Sequence, residues 1–318
     1  MNQESTLRRI YRALRRLAVA AICAPLLLAS LIWWLLRSRW GLGVRKRHSL
    51  RVVPAMDFSK MFDEARPSVL TEVVSQWQAF KTWTPQYLAR AIGDCPVQVC
   101  ITSGNVMGAV TAERYTTIPF DTLVDIVFST PPGDRLHYML GKGMDLLGPV
   151  RGDLVLPDGG AGRALDEYGT GLWIGHQGNL TALHHDGWHG CLAQLRGKKR
   201  VVLYSPEDSC HLGQRSPLSR TPYMTSLPEG RKTIDLEETH PQLRRAHRIE
   251  WTLEPGHLLY IPPYWWHEVE SAENSISFLI RYRPRRAESA AFLVSTGNLF
   301  SAAWFFLVHR SLDLLFRR

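Results

Sequence analysis

From Gly171 to Arg283 the chain repeats one rhythm: short runs rich in Leu, Val, Ile and aromatic residues, separated by turns containing Gly or Pro. The runs are LWIG, LTALHH, CLAQLRGKKRVVLYSP, HLLYIPPYWWHEV and SISFLIRYR. Several short strands at this spacing predict a β-sandwich or barrel of jelly-roll type, because each half-buried strand needs a second layer to cover it. Cys191–Arg196 and Arg200–Tyr204 flank Gly197-Lys198, which reads as a hairpin by its turn chemistry. The polar stretch His211–His247 reads as a long excursion over the barrel mouth. Upstream, residues 57–92 read as helical in two pieces, one around Phe58–Glu64 and one N-capped by Thr84 and stopped at Gly93. Pro67–Val74 and Val97–Ile101 read as strands.

Within this frame three residues carry chemistry. His184 and Asp186 lie two apart, and in an extended strand residues two apart share a face. His267 follows 81 residues after Asp186, on another strand in PPYWWHEVE. Two imidazoles and one carboxylate on one face of a metal leave positions open, as non-haem Fe(II) oxygenases require. Among twelve histidines such a set also arises by chance. His185 is expected on the opposite face, and His189 is a candidate for a supporting or substrate-side role.

The segment IGHQGNLTALHHDGWHGCLAQLRGKKRVVLYSPED (Ile174–Asp208) resembles the Jumonji-C hydroxylases, and GHLLYIPPYWWHEVES (Gly256–Ser271) is similar to the family's distal-histidine segment. ARPSVLTEVVSQWQAFKTWTPQYLARAIGDCPVQV (Ala65–Val99) looks like its opening. In motif these stretches resemble most the asparaginyl hydroxylase that modifies hypoxia-inducible factor. The resemblance implies an all-β core, a double-stranded β-helix (jelly roll, cupin) with flanking helices, and Fe(II) and 2-oxoglutarate as cofactors. It implies His184, Asp186 and His267 as iron ligands, Lys199 as partner of the distal 2-oxoglutarate carboxylate, and Thr181 and Tyr138 as further cosubstrate contacts. His137 is the alternative to Tyr138, and Lys198 is expected in solvent. The implied activity is that of an Fe(II)/2-oxoglutarate dioxygenase, with hydroxylation as the default outcome. Departures are specific: Gly190 and Leu279 stand where the asparaginyl hydroxylase has Asn, and His257 replaces the usual Asp after Gly256. They leave open a cupin-fold binding or scaffold protein without turnover. A zinc-dependent cupin isomerase fits poorly, because Lys199 follows the oxygenase pattern.

The net charge of +9 is not spread over the body. Residues 1–51 hold eleven Lys or Arg against Glu4, leaving 27 basic and 28 acidic residues for the rest. That near-neutral body argues against a nucleic-acid partner, which needs clustered positive charge. Leu17–Leu36 is uncharged and twenty residues long, enough to span roughly 30 Å as a helix. The organisation expected is a basic N-terminus (1–16), a transmembrane helix (17–36), a basic linker (37–53), the oxygenase domain (54–286) and an apolar or amphipathic C-terminal helix (287–318). This predicts a single-pass membrane location with a cytosolic catalytic domain, lipid contact through the N-terminal helix, a protein or small-molecule substrate, and a homodimer through the C-terminal helix. Five cysteines without a CxxC pair suit reduced thiols.

Overall fold

The computed structural model describes residues 48–103, 114–131, 133, 135–142, 144–158, 163–215, 219, 221, 223–228 and 230–285. One unit holds residues 45–215 and 223–285; of the other (1–44, 216–222 and 286–318), almost nothing falls among the described residues.

Helix formation at the front follows local chemistry. Asp57 caps α1 (Phe58–Glu64), its side chain accepting the Lys60 N–H at 2.9 Å, and Ala65 ends the helix in the left-handed region. Thr84 caps α3 (Pro85–Ile92), which begins with the proline a first helical turn tolerates. Between them, α2 (Gln78–Thr82) is a short turn of helix, and α4 (Phe120–Phe128) follows later in the chain. The expected strand Pro67–Val74 is shorter than its composition suggests: only Ser68–Leu70 (β2) pairs, and Val74–Gln76 turns into a 3-10 helix.

The remaining strands are β1 (Arg51–Val53), β3 (Pro96–Ser103), β4 (Arg114–Pro119), β5 (Arg135–Lys142), β6 (Gly171–Gly175), β7 (Leu180–His185), β8 (His189–Arg196), β9 (Lys199–Tyr204), β10 (Ile249–Leu253), β11 (Leu258–Ile261), β12 (Trp266–Ser271) and β13 (Ser275–Tyr282). They form a nine-stranded sheet in the order β1-β2-β11-β8-β13-β6-β5-β3-β4 and a four-stranded sheet in the order β10-β9-β12-β7. This is the all-β jelly-roll core with flanking helices.

Side-chain alternation divides the layers. Cys191, Ala193, Leu195, Leu258, Tyr260, Ile276, Phe278 and Ile280 face the helices and join Met61, Phe62, Trp83, Leu88 and Leu123 in one apolar core. Leu192, Leu259 and Ile261 of the large sheet meet Val201, Leu203, Leu253 and Val269 of the small one. The outer face of the small sheet, Leu183, Val202, Tyr204 and Trp266, is covered by Leu212, Leu227, Leu236 and Leu243. Leu212, Leu227, Leu236 and Leu243 of the stretch after His211 therefore form a packed layer, each contributing about 1.5–3 kcal/mol.

The hairpin expected at Gly197-Lys198 is corrected. β8 pairs with β11 and β13, whereas β9 pairs with β10 and β12, so the turn carries the chain from one sheet to the other. Gly197 adopts φ 66°, and a Cβ there would meet the Asn274 carbonyl oxygen at 2.2 Å. Glycine serves a crossing between layers here, with the same residue signature as a two-residue hairpin.

The membrane location is also corrected. Among the described residues no helix is long and apolar enough to cross a membrane. Leu17–Leu36, on which that expectation rested, and the C-terminal segment 287–318 lie outside the described residues. Cys95 and Cys100 are free thiols.

Candidate metal and cosubstrate site

The small sheet brings the three metal-ligand candidates together. His267 on β12 pairs in register with His184 on β7, and their ring centroids lie 4.1 Å apart. Asp186 follows immediately after β7. One ligating atom from each of His184, Asp186 and His267 falls within 4.8 Å of the others. Each imidazole is tied at its back: His184 Nδ1 lies 2.8 Å from the Ala182 carbonyl oxygen and His267 Nδ1 lies 2.9 Å from that of Trp265. A carbonyl only accepts, so each Nδ1 carries a proton, which leaves Nε2 as the atom each ring can offer a metal. Burial, and then the neighbouring His184, push His267 down to about 4, so its imidazole is neutral at pH 7. Burial raises Asp186, but Arg281 first and then His184 overcome it, holding the carboxyl at about 2. The three groups thus present two imidazoles, each held at Nδ1 by a backbone carbonyl, and a carboxylate.

His185 turns to the other face, edge-on against Trp266 with centroids 4.6 Å apart, and burial pushes it down to about 3. His189 is no substrate-side group: it lies behind the large sheet, its Nδ1 2.8 Å from the Tyr260 hydroxyl and its ring 5.1 Å from that of Phe62.

A second cluster lies deeper between the sheets. Lys199 is 1% exposed; its Nζ donates to Ser271 Oγ at 3.0 Å and lies 3.5 Å from Tyr138 Oη. The Thr181 side chain lies close enough to the Tyr138 hydroxyl to ease its ionisation, against the burial that raises its pKa. The structure therefore gathers Lys199, Thr181 and Tyr138, and it places Tyr138, not His137, beside the lysine. His137 sits beside His176, ring centroids 5.6 Å apart. Thr181 shares the inner face with His184, three residues away, because Ala182 and Leu183 together oppose Glu268 in a β-bulge. Gly175 makes room for Tyr138: a Cβ there would meet the ring at 2.1 Å. Lys198 points outward, 3.2 Å from Glu254.

Among the described residues Lys199 makes no ion pair, and burial pushes its ammonium down to about 7. A buried cation answered only by hydroxyls lacks an anion. Two residues at the site carried no sequence expectation. Ser271 follows His267 by four on β12, and the same-face spacing 267, 269, 271 could have found it. Arg281, whose Nη2 lies 4.0 Å from Asp186 Oδ1, is brought there by β13 and had no local signal. Gly190 and Leu279, the departures noted above, face each other: the nearest atom to a Cβ on Gly190 would be Leu279 Cδ1, 3.7 Å away.

Residues 54–287 match the model of the cupin-like domain family, well over half of the chain. The chain belongs to the cupin-like, Jumonji-C family. It is 31% identical over 219 residues to "Lysine-specific demethylase JMJ30" of Arabidopsis thaliana, a match covering 66% of this chain and 48% of that protein. It is 26% identical over 231 residues to "Jumonji C domain-containing protein 5" of Drosophila melanogaster, covering 69% and 55%. It is 27% identical over 250 residues to "tRNA wybutosine-synthesizing protein 5" of Danio rerio, covering 72% of each. The chain spans about half the length of the first two relatives.

Enzymes of the cupin-like Jumonji-C family use Fe(II) and 2-oxoglutarate, and the residues here fit both. The two free Nε2 atoms and the Asp186 carboxylate are a donor set suited to Fe(II). The unanswered Lys199 ammonium, with the hydroxyls of Tyr138, Thr181 and Ser271, suits one carboxylate of a dicarboxylic acid.

Proposed function

We propose that this chain is an Fe(II)- and 2-oxoglutarate-dependent oxygenase that hydroxylates its substrate, with His184, Asp186 and His267 holding the metal. The observation that carries this reading is the pairing of two backbone-anchored imidazoles with a carboxylate, beside a buried lysine that has no acid partner among the described residues. Bound Fe(II) with 2-oxoglutarate supplies the O2 activation that inserts one oxygen atom into a C–H bond as the cosubstrate becomes succinate and CO2. The protein's part is orientation. Lys199 fixes the distal carboxylate by charge, while Tyr138, Thr181 and Ser271 fix its direction by hydrogen bonds. The Ala182 and Trp265 carbonyls hold the imidazole planes, so the metal need not reorganise them. Val201, Leu203, Val269 and Leu259 keep the space between the sheets dry behind the site.

The experiment is succinate release from 2-oxoglutarate in air with Fe(II), comparing wild type with His184→Ala. Iron-dependent succinate from wild type and none from the variant supports the oxygenase. Equal release from both, or none from iron-loaded wild type with any substrate offered, supports instead a cupin-fold binding protein without turnover.

A further inference from the structure

Beside Asp186, at the strand ends, two arginines converge on one aromatic ring. Arg281 lies with its Cζ 5.4 Å from the centroid of Trp188, and Arg283 with its Cζ 5.5 Å from the same ring. Trp188 stands in the short turn between β7 and β8, two residues after Asp186. Two guanidiniums drawn to one indole repel each other, and the ring's quadrupole offsets only part of that cost.

Among the described residues neither guanidinium is answered by a hydrogen bond. Arg281 has carboxylates nearby, Asp166 at 3.9 Å from Nε and Asp186 at 4.0 Å from Nη2, but both are too long for one. Its Nε is buried with no hydrogen-bond partner among the described residues. Arg283 is exposed and, among the described residues, meets the Trp188 ring with no carboxylate on its guanidinium. The seat of Arg281 is built: a Cβ on Gly169 would meet its Cδ at 2.8 Å and Asp166 Oδ2 at 2.6 Å, so the loop closes on the side chain only because residue 169 is glycine. Once a metal takes Asp186, the carboxylate at 4.0 Å is spent on that metal and Arg281 is less compensated still.

We infer that Arg281 and Arg283, held against Trp188, recognise a carboxylate on the molecule that is oxidised, so that the substrate is an acidic side chain or other carboxylic acid. This rests on the oxygenase reading and names its substrate class. Paired guanidiniums present planar forks that match an oxyanion bidentately. Asp166, 3.9 Å from Arg281 Nε and outside the metal-ligand set, favours a singly charged carboxylate over a doubly charged phosphate, which it would repel more strongly.

The test uses the full chain loaded with Co(II) and 2-oxoglutarate under nitrogen. Calorimetry measures binding of N-acetyl amides of Asp and Glu, of their neutral isosteres Asn and Gln, and of phosphoserine. The expected result is binding of the acidic pair at least about tenfold tighter than their isosteres. That preference should be lost in the Arg281→Gln/Arg283→Gln double variant and partly kept in Arg281→Lys, whose charge lacks the fork. The exposed Arg283→Gln single variant guards against misfolding and should by itself weaken acidic binding. Equal binding of isosteres, tighter binding of phosphoserine, or acidic binding unchanged in the double variant would overturn the inference. So would a double variant whose only loss is in affinity for 2-oxoglutarate. Failure of wild type to bind Co(II) and 2-oxoglutarate at all is the separate signature of a failed oxygenase reading.

Discussion

His184 and His267 oppose each other in register on adjacent strands, ring centroids 4.1 Å apart, each donating its Nδ1–H to the carbonyl two residues before it. The relation fixes tautomer and direction together. Removing one ring removes a ligand and leaves its partner's lone pair without a shared target. His267→Ala is expected to weaken anaerobic Co(II) binding by more than the 10–100-fold typical of losing an outer partner alone. His185→Ala, on the opposite face, should keep metal affinity within a few-fold. Affinity losses of equal size in the two variants would refute the assignment.

Lys199 makes stability depend on pH in a direction that can be worked out. Burial lowers its folded pKa from 10.5 to about 7, so between those values the unfolded chain holds a proton that the folded chain has released. Stability contributed by this group therefore rises with pH across the window, with a limiting slope of about 1.4 kcal/mol per pH unit. Lys199→Met should abolish that slope and be at least as stable as wild type at pH 7. Chemical denaturation of the metal-free protein at several pH values between 7 and 10 measures it. A slope that survives in the variant excludes Lys199 as its source.

The same lysine sets the pH dependence of cosubstrate binding. A carboxylate needs the ammonium form, so 2-oxoglutarate binding should weaken up to about tenfold for each pH unit above roughly 7, with proton uptake on binding. Calorimetry in buffers of different ionisation enthalpy reads the uptake directly. Binding that is pH-independent from 7 to 9, with no proton taken up, contradicts the role given to Lys199.

Gly175→Ala places a methyl 2.1 Å from the Tyr138 ring, which is 4% exposed and has nowhere to retreat. The variant should lose about 1–3 kcal/mol of stability and bind 2-oxoglutarate more weakly, as the ring leaves Lys199 and Thr181. A variant with native melting temperature and native cosubstrate affinity would show that Tyr138 does not depend on this gap.

Gly197→Ala tests the crossing between sheets. With φ 66° and the Asn274 carbonyl oxygen 2.2 Å from the new Cβ, the backbone itself must move, at a cost of more than about 1 kcal/mol. A Tm within one degree of wild type would count against the turn geometry.

These residues also show how far sequence reasoning reaches. His184 and Asp186 were legible because strand periodicity is local, and Thr84 because capping is local. The role of Lys199 beside Tyr138 came from a resemblance, since nothing local ties residues 61 apart. The Gly197 turn was misread because its chemistry is shared by hairpins and by crossings; only the pairing partners, β11 and β13 against β10 and β12, decide between them. Thr181 faces inward through a bulge that breaks the period of two. Arg281 was invisible because its neighbours, Asp166, Asp186 and Trp188, are set by strand order. His189, adjacent in sequence to the site, belongs to the core behind it.

The most direct test of the account is stepwise anaerobic calorimetry of Fe(II) and then 2-oxoglutarate on wild type, Asp186→Ala and Lys199→Met. One Fe(II) per wild-type chain is expected, with cosubstrate binding that requires the metal. Metal binding should be lost in Asp186→Ala but kept in Lys199→Met, which fails only the second step. Undiminished Fe(II) binding in Asp186→Ala, or undiminished 2-oxoglutarate binding in Lys199→Met, would contradict it.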